Sequence, residues 1–355
     1  MRNVDILMGL QYGSEGKGLV AGALALQKMY ANYVRIGGSQ AGHSFNYQGK
    51  HYVFRHIPCG VIADEVNLLF AKGSMLDPDV MLKEISDNGM QGRHLYIDPL
   101  AYPILPEDGV AEQNLKARIG STGKGNGQAL IQRIRRGKHE FSKRKRYFKN
   151  KMWHQNISYE PIDPFFNQGY TLVESTQGYE LSLMSNHYPF VTGRNIGVGT
   201  IIDEAGIPFN SVRKVLGIAR TYPIRVAGNS GPMGVETSWE AISIKLGYKV
   251  REETTVTKKV RRVAEFNKEM LGRAIEYNGV SHLFLTFMDY LDPKAKNAKC
   301  YDELPAVCKE FVCEMRESLK VHILGVSNGP DIEKNVFWID KEYFMEEDRY
   351  YTHGV

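Results

Sequence analysis

Cysteine is scarce in this chain, and its spacing suggests no pairing. Cys59, Cys300, Cys308 and Cys313 form no C-x-x-C and no zinc-type spacing. That argues against a disulfide framework or a zinc ribbon and fits a reducing, cytoplasmic setting. No apolar run reaches 18 residues, so no membrane span is expected. The first residues lack a charged segment followed by a long apolar stretch, so no secretory signal is expected. There is no internal repeat, no low-complexity tract and no Pro/Gly/Ser linker. One domain over 1–355 is therefore the expectation. Charge of one sign is not in large excess either: Lys and Arg number 45 against 40 Asp and Glu, a net of +5. Anionic small molecules are as plausible partners as nucleic acid on that balance.

The residues that are present read as an α/β protein. Val4 to Leu10 is a short buried strand, followed by a glycine loop and a helical run from Leu19 to Met29. Tyr33 to Ile36 is a second strand. Strand, helix, strand at this spacing predicts a parallel sheet with helical crossovers. Further strands are expected at Tyr170–Glu174, Lys214–Ile218 and Val321–Val326, and helices at Pro78–Asn88, Ser238–Leu246 and Pro305–Leu319. Between Ile131 and Lys151, ten of 21 residues are Lys or Arg. That segment reads first as a solvated basic loop, second as a phosphate- or subunit-facing element through Arg135 and Arg136. A nucleic-acid arm is a weaker reading, because Phe141, Tyr147 and Phe148 form no RNA-binding signature.

Four glycine-rich stretches carry the chemistry. Gly13-Ser14-Glu15-Gly16-Lys17-Gly18 lies between a strand and a helix. Backbone N–H groups there can close on an anion, and Lys17 can add a point charge. The Walker A spacing is absent, with Gly18 where Ser or Thr should stand. Gly37-Gly38-Ser39-Gln40-Ala41-Gly42-His43-Ser44 follows the second strand, so it should share the first loop's sheet edge. His43 there could act as a general acid or as a hydrogen-bond donor to a phosphoryl oxygen. The third stretch runs from Ile119 to Gly127 and offers Ser121, Thr122 and Lys124; the fourth is Glu174–Gly178, with Gln177. Thr192 follows in a Tyr-Pro-Phe-Val-Thr-Gly-Arg-Asn stretch.

In order, QYGSEGKG, GGSQAGHS, HIPCGVI, IGSTGKGNG, ESTQG, YPFVTGRN and Arg225-Val226 resemble the motif series of adenylosuccinate synthetases. Thr255 to Arg262 resembles that family's aspartate loop, and Thr286–Asp289 with Ser327–Pro330 its triphosphate base pocket. The resemblance implies a single large α/β domain related to P-loop NTPases. It implies a ligase that joins L-aspartate to C6 of a purine nucleotide through a 6-phosphoryl intermediate, with Mg²⁺. Ser14, Lys17, His43 and Gln177 take catalytic positions. Ser14, Glu15, Gly16, Lys17, Gly18, Gly42, His43, Ser44, Phe287, Asp289, Ser327, Asn328, Gly329 and Pro330 take triphosphate positions. Ser14, Gln40, Ser121, Thr122, Lys124, Arg135, Gln177, Thr192, Val226 and Lys259 take monophosphate positions. Thr255, Val256, Thr257 and Arg261 take aspartate positions, and Ser14 with the Gly42 carbonyl takes metal positions. Arg135 would reach the site of a second subunit, which implies a homodimer.

Two departures bear on substrate. The family pattern QWGDEGKG has an Asp that serves as base and metal ligand, where this chain has Ser14. A hydroxyl leaves room for a 2-amino group beside N1. This is similar to the phage-associated branch that uses dGMP to make a precursor of 2-aminoadenine, in which case the host cytoplasm is the expected location. Phe287 stands where GTP-using members carry Lys, so ATP or dATP is the expected donor. The alternatives are an ordinary synthetase using IMP and GTP, or an inactive nucleotide- or nucleic-acid-binding protein.

Overall fold

The first strand, β1 (Val4–Gly9), is buried along its whole length. Val4, Ile6 and Met8 enter one core and Leu7 enters another. A strand covered on both faces belongs in the middle of a parallel sheet flanked by helices. The computed structural model, which describes residues 2–253 and 259–345, places it there. The other strands of this sheet are β2 (Asn32–Arg35), β3 (Asn67–Phe70), β4 (Leu95–Ile97), β5 (Ile157–Tyr159), β6 (Thr171–Gly178), β7 (Val212–Arg220), β8 (His282–Thr286), β9 (His322–Ser327) and β10 (Val336–Trp338). Their order across the sheet is β10-β9-β8-β7-β1-β6-β2-β3-β4-β5. Among the described strands of this sheet, only the β9–β10 pair is antiparallel. The chain is one α/β domain built on this sheet.

The local signals behave as chemistry requires. The helix Pro78–Asn88 starts where the Asp77 carboxylate accepts from the N–H groups of Asp79 and Val80, at 3.1 and 3.2 Å, and stops at Gly89 in the left-handed region. Ser238 caps Trp239–Leu246 in the same way, and Pro305 precedes Ala306–Leu319. Asp77, Ser238 and Gly89 are the terminal residue types that satisfy orphaned helix-end groups. The first helix, α1 (Lys17–Leu26), begins two residues earlier than its apolar run and ends three earlier than Met29.

The basic segment is not a loop. Residues Lys138–Met152 form a helix whose buried face is Arg144, Phe148 and Met152, four residues apart in each step. Cationic composition hid that stripe. Arg144 is 1 % exposed and forks onto Asp108, with 2.9 Å from Nη2 to Oδ1, while its Nη1 donates to the Pro103 carbonyl at 3.0 Å. Removing one partner of a buried pair leaves the other charge without compensation. Arg144→Ala is expected to cost about 3–5 kcal/mol, measured by denaturant unfolding.

Acid should loosen the fold through buried imidazoles. Burial, then the Lys214 charge, pulls His282 down to about 4 from 6.5, and burial holds His56 well below 6.5. In the unfolded chain both regain the ordinary value. Above pH 6.5 neither state is protonated and no penalty exists. As pH falls from 6.5 toward 4 the unfolded state binds protons that the folded state refuses, so stability drops. The thermal midpoint is expected to decline across that window and to decline less in His282→Gln.

Candidate active site

Because the sheet is parallel, β1, β2, β6, β7, β8 and β9 all end at one edge, and the glycine-rich loops follow them there. Ligands in open α/β sheets bind at this edge. A cavity of about 580 Å³ at the opposite edge is lined by Lys214, His282, Arg316, Lys320 and Tyr343. It lies away from the glycine loops, so the loops rather than that cavity define the candidate site.

The first loop is wound tightly by its own acid. Glu15 is buried, and its Oε1 accepts from the N–H groups of Gln11 at 3.1 Å and Gly13 at 2.8 Å. Its Oε2 pairs with the Lys17 ammonium at 2.7 Å. With both oxygens engaged, Glu15 faces a bound anion only through its main chain. Gly16 has φ +96°, which favours glycine, and caps α1. Ser14 sits at φ +58°, exposed, with no side-chain hydrogen bond among the described residues. Its carbonyl accepts from Arg220 Nη1 at 3.1 Å.

Contacts knit this loop to the others. A Cβ on Gly18 would lie 2.6 Å from the Cβ of His43 and 2.9 Å from the Ser44 nitrogen. The missing Ser or Thr of a Walker A motif is thus the space in which His43 packs on α1. A Cβ on Gly178 would lie 2.4 Å from the Gly13 nitrogen, so the β6 end touches the same loop. Thr286, ending β8, donates to the Glu15 carbonyl at 2.7 Å. The Asn46 N–H donates to the Pro330 carbonyl at 2.8 Å, joining the hairpin that starts at His43 to the stretch after β9. A Cβ on Gly38 would fall 2.8 Å from the Asn126 amide carbon, which brings the third stretch against the second.

Several polar groups here are buried and have no hydrogen-bond partner among the described residues: His43 Nε2, Gln40 Oε1, Gln177 Oε1 and both amide atoms of Asn126. Gln177 Nε2 donates to Thr192 Oγ1 at 2.8 Å. Orphaned polar atoms in a native interior call for an explanation, and an absent ligand is one. Under His43 lies a buried cluster that motif reading passed over. His43 Nδ1 and Arg35 Nη1 both contact Glu174 Oε1. The Cys59 N–H donates to Glu174 Oε2 at 2.8 Å, and its thiol to Oε1 at 3.0 Å. Burial would raise the Glu174 carboxyl, yet Arg35 and then His43 hold it at about 2. Burial, then Arg35, brings His43 to about 3. His43, Cys59 and Glu174 have the donor types for a soft metal, all within 4.8 Å. The Arg35 guanidinium already neutralises the carboxylate, so the cluster reads as an ion-paired support for His43. A charged residue at the end of an apolar parallel strand was the signal available for Arg35 and Glu174.

The remaining expected residues divide. Asp289 is buried, and burial raises it to about 6 despite Lys296. The Phe287 ring, with φ +62°, stacks on the Arg220 guanidinium at 3.8 Å, and Arg220 also pairs with Glu252. One ring face is therefore already taken. Asn328 donates to the carbonyls of Ala295 and Ala298 at 2.5 and 3.1 Å, which shapes the pocket wall beside Ser327 and Gly329. Ser121 Oγ accepts from the Gly123 N–H at 3.2 Å. Thr122, Gly42, Ser44 and Pro330 are exposed, and Lys124 and Val226 half-buried. Arg135 projects from the end of the helix Asn126–Ile134, exposed, and Lys259 is exposed on the far side of the described gap. Arg261 Nε donates to the Glu253 carbonyl at 3.4 Å. Thr255, Val256 and Thr257 lie outside the described residues.

Comparison with known proteins agrees with this layout. The adenylosuccinate synthetase family profile matches residues 6–161 and 159–296. An adenylosuccinate synthetase of Pyrococcus sp. (strain ST700) is 32% identical over 335 residues, 92% of this chain and 96% of that protein. The N6-succino-2-amino-2'-deoxyadenylate synthase of Vibrio phage phiVC8 is 31% identical over 310 residues, 82% of this chain and 88% of that one. Among solved structures, the succinoaminodeoxyadenylate synthetase (PurZ) of cyanophage S-2L, bound to dGMP and to dATP as an energy donor, superposes with a TM-score of 0.81 at 26% identity, covering 98% of both chains. The Plasmodium falciparum adenylosuccinate synthetase shares the fold, with a TM-score of 0.79 over 96% of this chain and all of that one. With its motifs converging on one sheet edge and these matches spanning most of its length, the chain is a carbon–nitrogen ligase of the adenylosuccinate synthetase family.

Proposed function

We propose that this ligase joins L-aspartate to C6 of a 2-aminopurine deoxynucleotide, converting dGMP, aspartate and ATP or dATP into the N6-succinyl-2-amino nucleotide, ADP or dADP, and phosphate. The observation that carries the reading is Ser14. It occupies the turn where the family pattern has Asp, exposed at φ +58° and with no side-chain partner among the described residues. A carboxylate there would crowd an exocyclic 2-amino group; a hydroxyl accepts a hydrogen bond from it. The phage relatives named above act on such nucleotides, which supports the reading, while the similar archaeal synthetases keep IMP as the second candidate.

The O6 of guanine is a poor leaving group until it is phosphorylated. Lys17 and the α1 N-terminus would hold the triphosphate, and His43 Nε2 would meet the transferring phosphoryl group. Gln177 Oε1, unpartnered, would accept from the purine. Mg²⁺ fits the donors present: Ser14 and the Gly42 carbonyl offer neutral oxygens at an exposed position, and a hard cation can draw its remaining ligands from the phosphates. Bound there, it would neutralise phosphate charge. Arg135, beside the exposed Ile131 and Ile134, would reach the 5'-phosphate of a second copy's nucleotide in a homodimer. The test is to incubate the protein with Mg²⁺, aspartate, ATP and either dGMP or IMP, and follow products by mass spectrometry. The succinylated 2-amino nucleotide is expected; efficient turnover of IMP with none of dGMP would overturn the reading.

A further inference from the structure

We propose that Glu174 is a positioning residue that selects which ring nitrogen His43 presents to the substrate. The inference rests on the reading above in one respect, that His43 meets the transferring group. The geometry is independent of it. Glu174 lies on the buried strand β6, fully enclosed. A carboxylate only accepts hydrogen bonds and a guanidinium only donates them. His43 Nδ1 touches one of each, Glu174 Oε1 and Arg35 Nη1, the latter at 2.5 Å. Because Arg35 Nη1 already donates to Oε1, the imidazole proton is placed on Nδ1, shared with Glu174. Nε2 is then the nitrogen turned toward the site, and it is buried without a partner among the described residues.

The carboxylate is itself held on several sides. Arg35 Nη1 donates to Oε1, and Cys59 donates through its N–H at 2.8 Å and its thiol at 3.0 Å. Arg35 is fixed in turn by Nη2 donating to the Arg55 carbonyl at 3.4 Å. A side chain restrained by three hydrogen bonds from two residues other than His43 cannot rotate to follow the imidazole, so the imidazole follows it. The backbone of His43 is equally restrained, because α1 leaves room for it only at Gly18. Ring position comes from Gly18 and ring tautomer from Glu174. Supporting groups of this kind typically change activity about 10–100-fold when removed.

The test is a double-mutant cycle. Glu174→Gln is expected to lower kcat for aspartate-dependent phosphate release about 10–100-fold, with KM values for both nucleotides within about threefold of the unmodified protein. In a His43→Asn background the same substitution should cost nothing more, since its only route is through the imidazole. Additive losses in the two backgrounds would mean that Glu174 merely supports the fold, and would overturn the proposal. A second measurement does not depend on any variant folding with Glu174 changed. Nitrogen-15 spectra of labelled histidines, with the His43 signal assigned by its loss in His43→Asn, should show the Nδ1–H tautomer; an Nε2–H tautomer overturns the proposal. If the unmodified protein releases no aspartate-dependent phosphate, the functional reading has failed and the tautomer alone decides the role of Glu174.

Discussion

Lys17→Ala is expected to lower turnover about 10³-fold, the size seen when one preorganised charge is removed from a transferring group's surroundings. Lys17 is a buried ammonium at the start of α1, held 2.7 Å from Glu15, and the pair aims one fixed cation at the loop. Arg should not rescue it. A Cβ on Gly9 would lie only 2.7 Å from Lys17 Nζ, so the wall behind the ammonium has no space for a planar guanidinium. Loss of the cation also leaves the Glu15 carboxylate buried. Its two backbone donors, Gln11 and Gly13, remain, and Glu15→Gln combined with Lys17→Ala keeps the loop neutral. Phosphate release measured on both variants, with circular dichroism as the check on folding, separates a lost charge from a collapsed loop. Activity within tenfold of the parent in the single variant would remove Lys17 from the chemistry.

Ser14→Asp is expected to invert substrate choice. kcat/KM for dGMP should fall about 100-fold or more through crowding of the 2-amino group, while turnover of IMP appears or rises because a base now faces N1. The change is unusually clean for stability. Ser14 already sits at φ +58°, a region that Asp tolerates better than most residues, and its side chain is exposed. The melting temperature should therefore stay near that of the parent. Competition between dGMP and IMP in one mixture gives the ratio directly. Equal losses on both nucleotides would show that position 14 does not face the base.

Much of the fold could be read along the chain because its signals are local. β1, the glycine loop and α1 follow from an apolar run, glycines and a second apolar run. Asp77 with Pro78 and Ser238 mark helix starts by their hydrogen-bonding capacity. The helix Lys138–Met152 escaped because a lysine- and arginine-rich run looks solvated whatever its period, and its buried face includes an arginine neutralised by Asp108, 36 residues away in sequence. Likewise the motifs put His43 and Gln177 forward, but not Arg35, whose side-chain partners His43, Arg55 and Glu174 lie 8, 20 and 139 residues further along the chain.

Composition and order of residues alone determined an α/β chain with glycine-rich loops after its strands, because covalent neighbours carry the glycines, caps and apolar periods that specify those features, while the ligase reading came from the resemblance of the motif series to a family. Which groups share a site was settled only by packing. Arg35, Cys59 and Glu174 meet beneath His43 because parallel strands far apart in the chain lie side by side in the sheet, and no local pattern encodes a contact of that range.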